Sequence, residues 1–210
     1  MAFDYKKEYR EFYLPPQKPV PVTVPAMQFL AVRGSGDPNQ TAGTYQQALQ
    51  ILYAVSYTIK MSKLTDHRIE GFFDYVVPPL EGLWQQEGRT QIDFRRKDLF
   101  HWTSMIRLPD FVDSDDVAWA KETAARKKKL DTSAAELLTY DEGLCVQCLH
   151  CGSYDSEPET ISRMLDFSDK SGLLPDLSGM RLHHEIYLSD PRKTAPEKLK
   201  TVIRIPVLLR

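Results

Sequence analysis

Residues 143–151 read GLCVQCLHC. All three cysteines of the chain lie here, Cys145, Cys148 and Cys151, at the three-residue spacing with which iron–sulfur and zinc proteins gather thiolates. On a strand, however, side chains alternate faces at every residue, so Cys145 and Cys151 point one way and Cys148 the other. No single ion bridges such a set. A fourth ligand is also wanting, because there is neither a Cys-Pro ending nor a second cysteine pair, and His150 shares its side with Cys148 alone. The stretch reads as a strand whose thiols pack as small hydrophobes, and no metal or cofactor is expected.

That strand opens a unit. After it come a helix over EPETISRMLDFSDKSG (157–172), with Ile161, Met164 and Leu165 inward, a strand over RLHHEIYLS (181–189) and a strand over KTVIRIPVLL (200–209). The same order stands earlier in the chain. The strand AMQFLAVRG (26–34) ends in the turn-forming GSGDPNQ, and a helix follows over 41–61, where Ala48, Leu49, Leu52, Val55 and Ile59 make one apolar face. YVVPPLEGLWQ (75–85) and LFHWTSMIRLP (99–109), rich in branched and aromatic residues and bounded by proline, read as two antiparallel strands. A connector helix over 113–130 has acids in its first turn and lysines in its last, as the helix dipole prefers.

The expected fold class is therefore α+β: tandem β-α-β-β modules, about 24–110 and 140–210, paired about a pseudo-twofold axis. The sheets join side by side, helices cover one face, and the opposite, concave face is free to hold a ligand. Residues 1–23 are expected as an extended arm, because YLPPQKPVPVTVP (13–25) is too rich in proline for a helix. The edge strands leave pairing into a homodimer open, alongside capping by that arm.

Bulk composition excludes several partners. The chain has 210 residues, 42% of them hydrophobic, with 27 Lys and Arg against 29 Asp and Glu for a net charge of -2. That balance offers no footprint for nucleic acid or an anionic membrane. The charged, aromatic start MAFDYKKEYREFY is unlike a secretory signal, no window is apolar enough to span a bilayer, and clustered cysteines suit a reducing compartment, so a cytoplasmic protein is expected.

In RLHHEIYLSDP (181–191), alternation sets Arg181, His183, Glu185 and Tyr187 on one face and the mainly apolar Leu182, His184, Ile186 and Leu188 on the other, toward the helices. Glu185 is then a carboxylate in mid-strand on the open face, provided no bulge intervenes. On the residues alone, a Glu that is merely hydrogen-bonded across strands stays an alternative. Trp84, Trp102, Tyr140, Tyr187, Tyr53 and Tyr57 interleave with it. A carboxylate ringed by aromatic faces is how a protein holds a planar lipophilic or cationic small molecule. If desolvated there, it also serves as a general base.

Five stretches carry a resemblance: VPAMQFLAVRGSGDPN, PLEGLW, IRLPDFV, EGLCVQCLHCGSYDSEPETI and HHEIYLSDPRKTAPEKLKTVIRIPV. They cover nearly the whole chain, which resembles the GyrI-like small-molecule-binding proteins, a family that also forms effector domains of multidrug-sensing regulators. Without a helix-turn-helix segment the chain is most similar to the free-standing branch. The resemblance implies an aromatic pocket at the module junction centred on Glu185. By similarity to cyclopropanoid cyclopropyl hydrolases it further implies detoxification of DNA-alkylating toxins by addition of water. In that reading Glu185 activates the water, Tyr187 or Tyr140 donates to the carbonyl, Trp84 and Trp102 clamp the ring system, and Tyr53, Tyr57 and His183 line the pocket. The alternatives are a non-catalytic drug-binding or drug-sensing protein and a gyrase-inhibitor-like interaction protein.

Overall fold

The structure, a computed structural model, describes residues 2–86, 93, 96–179 and 181–210. Its elements run α1 (Tyr5–Glu8), α2 (Arg10–Tyr13), β1 (Val20–Val24), β2 (Met27–Ser35), α3 (Thr44–Lys60), β3 (Leu80–Gln86), β4 (Phe100–Arg107), α4 (Ser114–Lys128), β5 (Glu136–Tyr140), β6 (Gly143–Cys151), α5 (Glu157–Lys170), β7 (Leu173–Pro175), β8 (His183–Tyr187) and β9 (Lys200–Leu209). The strands form one antiparallel sheet in the order β1-β6-β9-β8-β3-β4-β2-β5, with β7 on the end of β9. The modules β2-α3-β3-β4 and β6-α5-β8-β9 meet at β3 and β8, the pseudo-twofold arrangement expected. β1 and β5 each precede a module and pair with the first strand of the other, Val24 opposite Gly143 and Met27 opposite Tyr140 in one continuous register.

Local chemistry accounts for the elements. Asp113 caps α4 through the amides of Asp115 and Asp116, and Asp116 returns a bond to the Asp113 amide, a reciprocal capping box. Tyr45, Ala48, Leu52, Val55 and Ile59 put the apolar face of α3 onto β2, β3 and β4. Met164 of α5 packs on Val146, Cys148, Ile203 and Ile205. Both helices thus cover the same side of the sheet.

Two expectations are corrected. The arm is extended only in its second half: residues 5–8 and 10–13 are helical, since the prolines begin at Pro15, and Val20–Val24 is a strand in which Pro21 is tolerated because β1 pairs on one edge only. The alternation along β8 holds with regular register and no bulge, but the sides are exchanged. Glu185 and Tyr187 face α3 and α5. Leu182, Ile186 and Leu188 face the opposite side, which is not free: Tyr5, Phe12, Tyr13 and Tyr75 cover it. Apolar character on β8 identified a buried face, and here both faces are buried.

That covered side carries charge. His184 Nδ1 lies 3.0 Å from Glu142 Oε1, and its Nε2 lies 3.0 Å from Glu81 Oε2 at an angle too bent for a hydrogen bond. Arg204 donates to Glu142 Oε2 at 3.0 Å, to Gln147 Oε1 at 3.1 Å and to the Phe12 carbonyl at 2.5 Å. The Tyr13 hydroxyl donates to Glu81, and the guanidinium of Arg107 lies 4.8 Å and 4.6 Å from the ring centres of Tyr5 and Tyr9. The N-terminal segment therefore seals a buried ion cluster.

Removing one member of such a cluster strands the others. Arg204→Met should lower stability by about 3–5 kcal/mol, measured by urea unfolding. Burial lowers the basicity of His184, but Glu142 and Glu81 outweigh it and hold the imidazole charged up to about 9. Burial likewise opposes ionisation of Glu142, yet His184 and Arg204 bring it down to about 2. The His184 contribution is complete below pH 6.5 and lost as pH rises through about 9; that of Glu142 is present above pH 4.5 and lost as pH falls towards 2. The urea midpoint should fall on both sides of a plateau, and His184→Gln should flatten the alkaline limb.

Candidate functional site

Glu185 sits in mid-β8 at the centre of the sheet. Its row across the strands is Val32, Ser104, Gly82, Glu185, Ile203 and Cys148, all on the helix side. The neighbouring row brings Trp102, Trp84 and His183 together. Although 5% exposed, the carboxylate is well supplied with partners. Oε1 is 2.9 Å from His183 Nε2, and Oε2 accepts from the Tyr187 hydroxyl at 2.7 Å. That hydroxyl in turn accepts from Trp84 Nε1 at 2.9 Å.

Two glycines make room for the tryptophans. A Cβ on Gly82 would stand 2.8 Å from Trp84 Nε1 and 3.2 Å from the Tyr187 hydroxyl, so only glycine lets the indole lie across β3 and reach Tyr187. A Cβ on Gly34 would stand 2.3 Å from Trp102 Cη2. Tyr45 closes over both indoles, 5.7 Å from Trp84 and 5.1 Å and perpendicular to Trp102. Tyr154, in the turn before α5, meets Tyr187 edge-on at 5.9 Å.

A second carboxyl completes the site. Glu157, at the first position of α5 and 1% exposed, stands against Glu185 and Thr201, and its Oε1 has no hydrogen-bond partner. Burial, reinforced by the charge of Glu185, pushes Glu157 well above the usual carboxylate range and favours its protonated form. Burial followed by Glu185 raises Tyr187 far above its ordinary value, and burial raises Tyr45. Tyr154 is pushed up to about 12 by burial, Glu157 and Glu185. None of these phenols ionises near neutrality.

Of the residues expected from sequence, Glu185, Tyr187, His183 and Trp84 come together and Trp102 adjoins them. Tyr140 does not. It lies on the covered side, its hydroxyl accepting from the Leu182 amide at 3.3 Å and its ring edge-on to His184. Tyr53 and Tyr57, 39% and 51% exposed, lie 6.5 Å apart on the outer side of α3, with Tyr53 near Arg192 and Asp190. Three members were missed. Tyr45 shares the three- and four-residue periodicity of Ala48 and Leu52, so that pattern could have found it. Glu157 reads as an ordinary first-turn acid, and Tyr154 lies in a loop pattern with no period.

Residues 17–208 match the GyrI-like small molecule binding domain. The chain belongs to that family. An uncharacterized conserved protein from Listeria innocua is 48% identical with a TM-score of 0.93, covering 99% of this chain and 100% of its own. A hydrolase from the same organism is 46% identical with a TM-score of 0.89, at the same coverage. The EcmrR C-terminal domain, 12% identical with a TM-score of 0.60, covers 92% of this chain and 98% of its own and shares the fold. No curated protein matches the chain.

Gly82→Ala tests the central packing. The added methyl should push Trp84 off Tyr187, lower the melting temperature through overpacking of about 1–3 kcal/mol, and shift tryptophan emission as the indole N–H loses its acceptor. Unchanged emission would show that Trp84 does not depend on Gly82.

Proposed function

We propose that the site around Glu185 binds planar aromatic small molecules and hydrolyses cyclopropanoid alkylating toxins by addition of water. The observation that carries this reading is the Glu185 carboxylate, desolvated among aromatic rings and fixed by donors on both oxygens. Two hydrolases from Listeria innocua that align over the full chain, 46% and 48% identical, support a hydrolytic role.

In a spirocyclopropane fused to a cyclohexadienone, the water oxygen bonds to the cyclopropane methylene as the ring C–C bond breaks. The electron pair enters the dienone and leaves it a phenolate, which takes up a proton from solvent to become the phenol. Glu185 takes the proton from the attacking water and returns it to solvent. Tyr187, already donating to Glu185, orients the base. Tyr45, whose hydroxyl stands beside Ser104 and Tyr187, takes the donor role for which the resemblance offered Tyr187 or Tyr140. Trp84 and Trp102 supply the apolar wall.

Incubation with such an alkylator should discharge its ultraviolet chromophore and give a product heavier by one water. Glu185→Gln should slow this by about 10² to 10⁴. A chromophore that persists in the bound compound would instead make the protein a non-catalytic binder, and a rate unchanged in Glu185→Gln would remove that residue from the chemistry.

A further inference from the structure

Ring opening of a cyclopropane places the developing charge on an oxygen remote from the attacked carbon and so uses one carboxylate. The structure has a second. Glu157 reaches Glu185 from a different element, both are buried, and Oε1 of Glu157 is left without a partner, which is costly in a folded interior unless something else occupies it. The groups facing the pair are His183 and Tyr187 on β8, Thr201 on β9, Tyr154 and Asp155 in the turn before α5, and Tyr45 on α3. Among the described residues, none of these groups is a lysine or arginine.

We propose that Glu157 and Glu185 form an acid–base carboxyl dyad that hydrolyses esters or lactones of planar aromatic compounds. The proposal rests on the reading of Glu185 as a base. Two adjacent carboxyls suit acyl chemistry because attacking water and carbonyl oxygen bond to the same carbon. Water adds to the acyl carbon, giving one proton to Glu185, while Glu157 gives its proton to the carbonyl oxygen. On collapse the C–O bond to the alcohol breaks, Glu185 protonates the leaving alcohol, and the hydroxyl proton of the intermediate returns to Glu157. The products are acid and alcohol, and the dyad is back in its starting state.

The probe is 4-methylumbelliferyl acetate, a neutral fused-ring ester, followed by fluorescence with wild type, Glu157→Gln, Glu185→Gln and Cys151→Ser, the last because Cys151 is an exposed thiol. Expected are saturable turnover, a loss of about 10²-fold or more in each Glu variant, no change in Cys151→Ser, and a kcat/KM profile that falls at both low and high pH. Heavy-oxygen water should label the acetate with no acyl-enzyme in the mass spectrum. Wild-type turnover no faster than Glu157→Gln, dependence on Cys151, or an acyl adduct would overturn the dyad. Should Glu157→Gln not fold, the wild-type profile decides, since a flat alkaline limb removes the acid. The cyclopropane alkylator is run alongside. Alkylator turnover with an inert ester sinks the dyad alone, whereas both inert in wild type sinks the base reading of Glu185 as well.

Discussion

A carboxylate at the centre of a sheet, covered by helices, must find its donors within the protein, because an uncompensated buried charge costs several kcal/mol. Much of the architecture answers that demand at Glu185. Tyr187 and His183 reach it from two residues away on the same face of the same strand, an arrangement that a period of two permits and any bulge would destroy. Trp84 then completes the valence of Tyr187, which requires a residue with no side chain at Gly82. The glycine, the indole, the phenol and the carboxylate are one unit drawn from the two modules, so the junction of the pseudo-repeat is also where the candidate site sits.

The adjacent residue makes the same demand on the other side. His184 buries its imidazole between Glu142 and Glu81, and Arg204 and Tyr13 satisfy the remaining valences of those carboxylates. Consecutive residues of β8 therefore hold separate polar networks back to back across the backbone. The rear network is closed by the N-terminal segment, although among the described residues His184 Nε2 and two nitrogens of Arg107 there make no hydrogen bond. The front network has an orphan oxygen on Glu157.

Much of this was legible in the sequence because it rests on periodicity. The two β-α-β-β units, the apolar face of α3, the reading of the cysteines as strand residues and the grouping of His183, Glu185 and Tyr187 all follow from periods of 3.6 and 2. The face assignment failed for a physical reason. Alternation says which residues share a side, and polarity says which side meets water, but when both sides are covered polarity carries no information about which cover lies where. The short edge strands β5 and β7 and the helical start at Tyr5 are stabilised by long-range pairing and aromatic packing, which no local window contains. Tyr140 was misplaced for the same reason, since it meets the Leu182 amide and the His184 ring on the covered side, across the backbone from Glu185.

Glu157 shows where local rules and tertiary structure oppose one another. At the first position of α5 the helix dipole favours its ionised form, by about 0.3–1 kcal/mol at an exposed end and about 2 kcal/mol when partly buried. Complete burial against a second carboxylate acts the other way, and shifts of several pKa units are documented for such groups, each unit corresponding to about 1.4 kcal/mol. The larger effect wins, and the protonated form is favoured. A residue that reads as a helix-start acid is thereby turned away from the ionised form that its position alone would prefer. The opposition has one structural source, that the start of α5 brings Glu157 against Glu185 of β8.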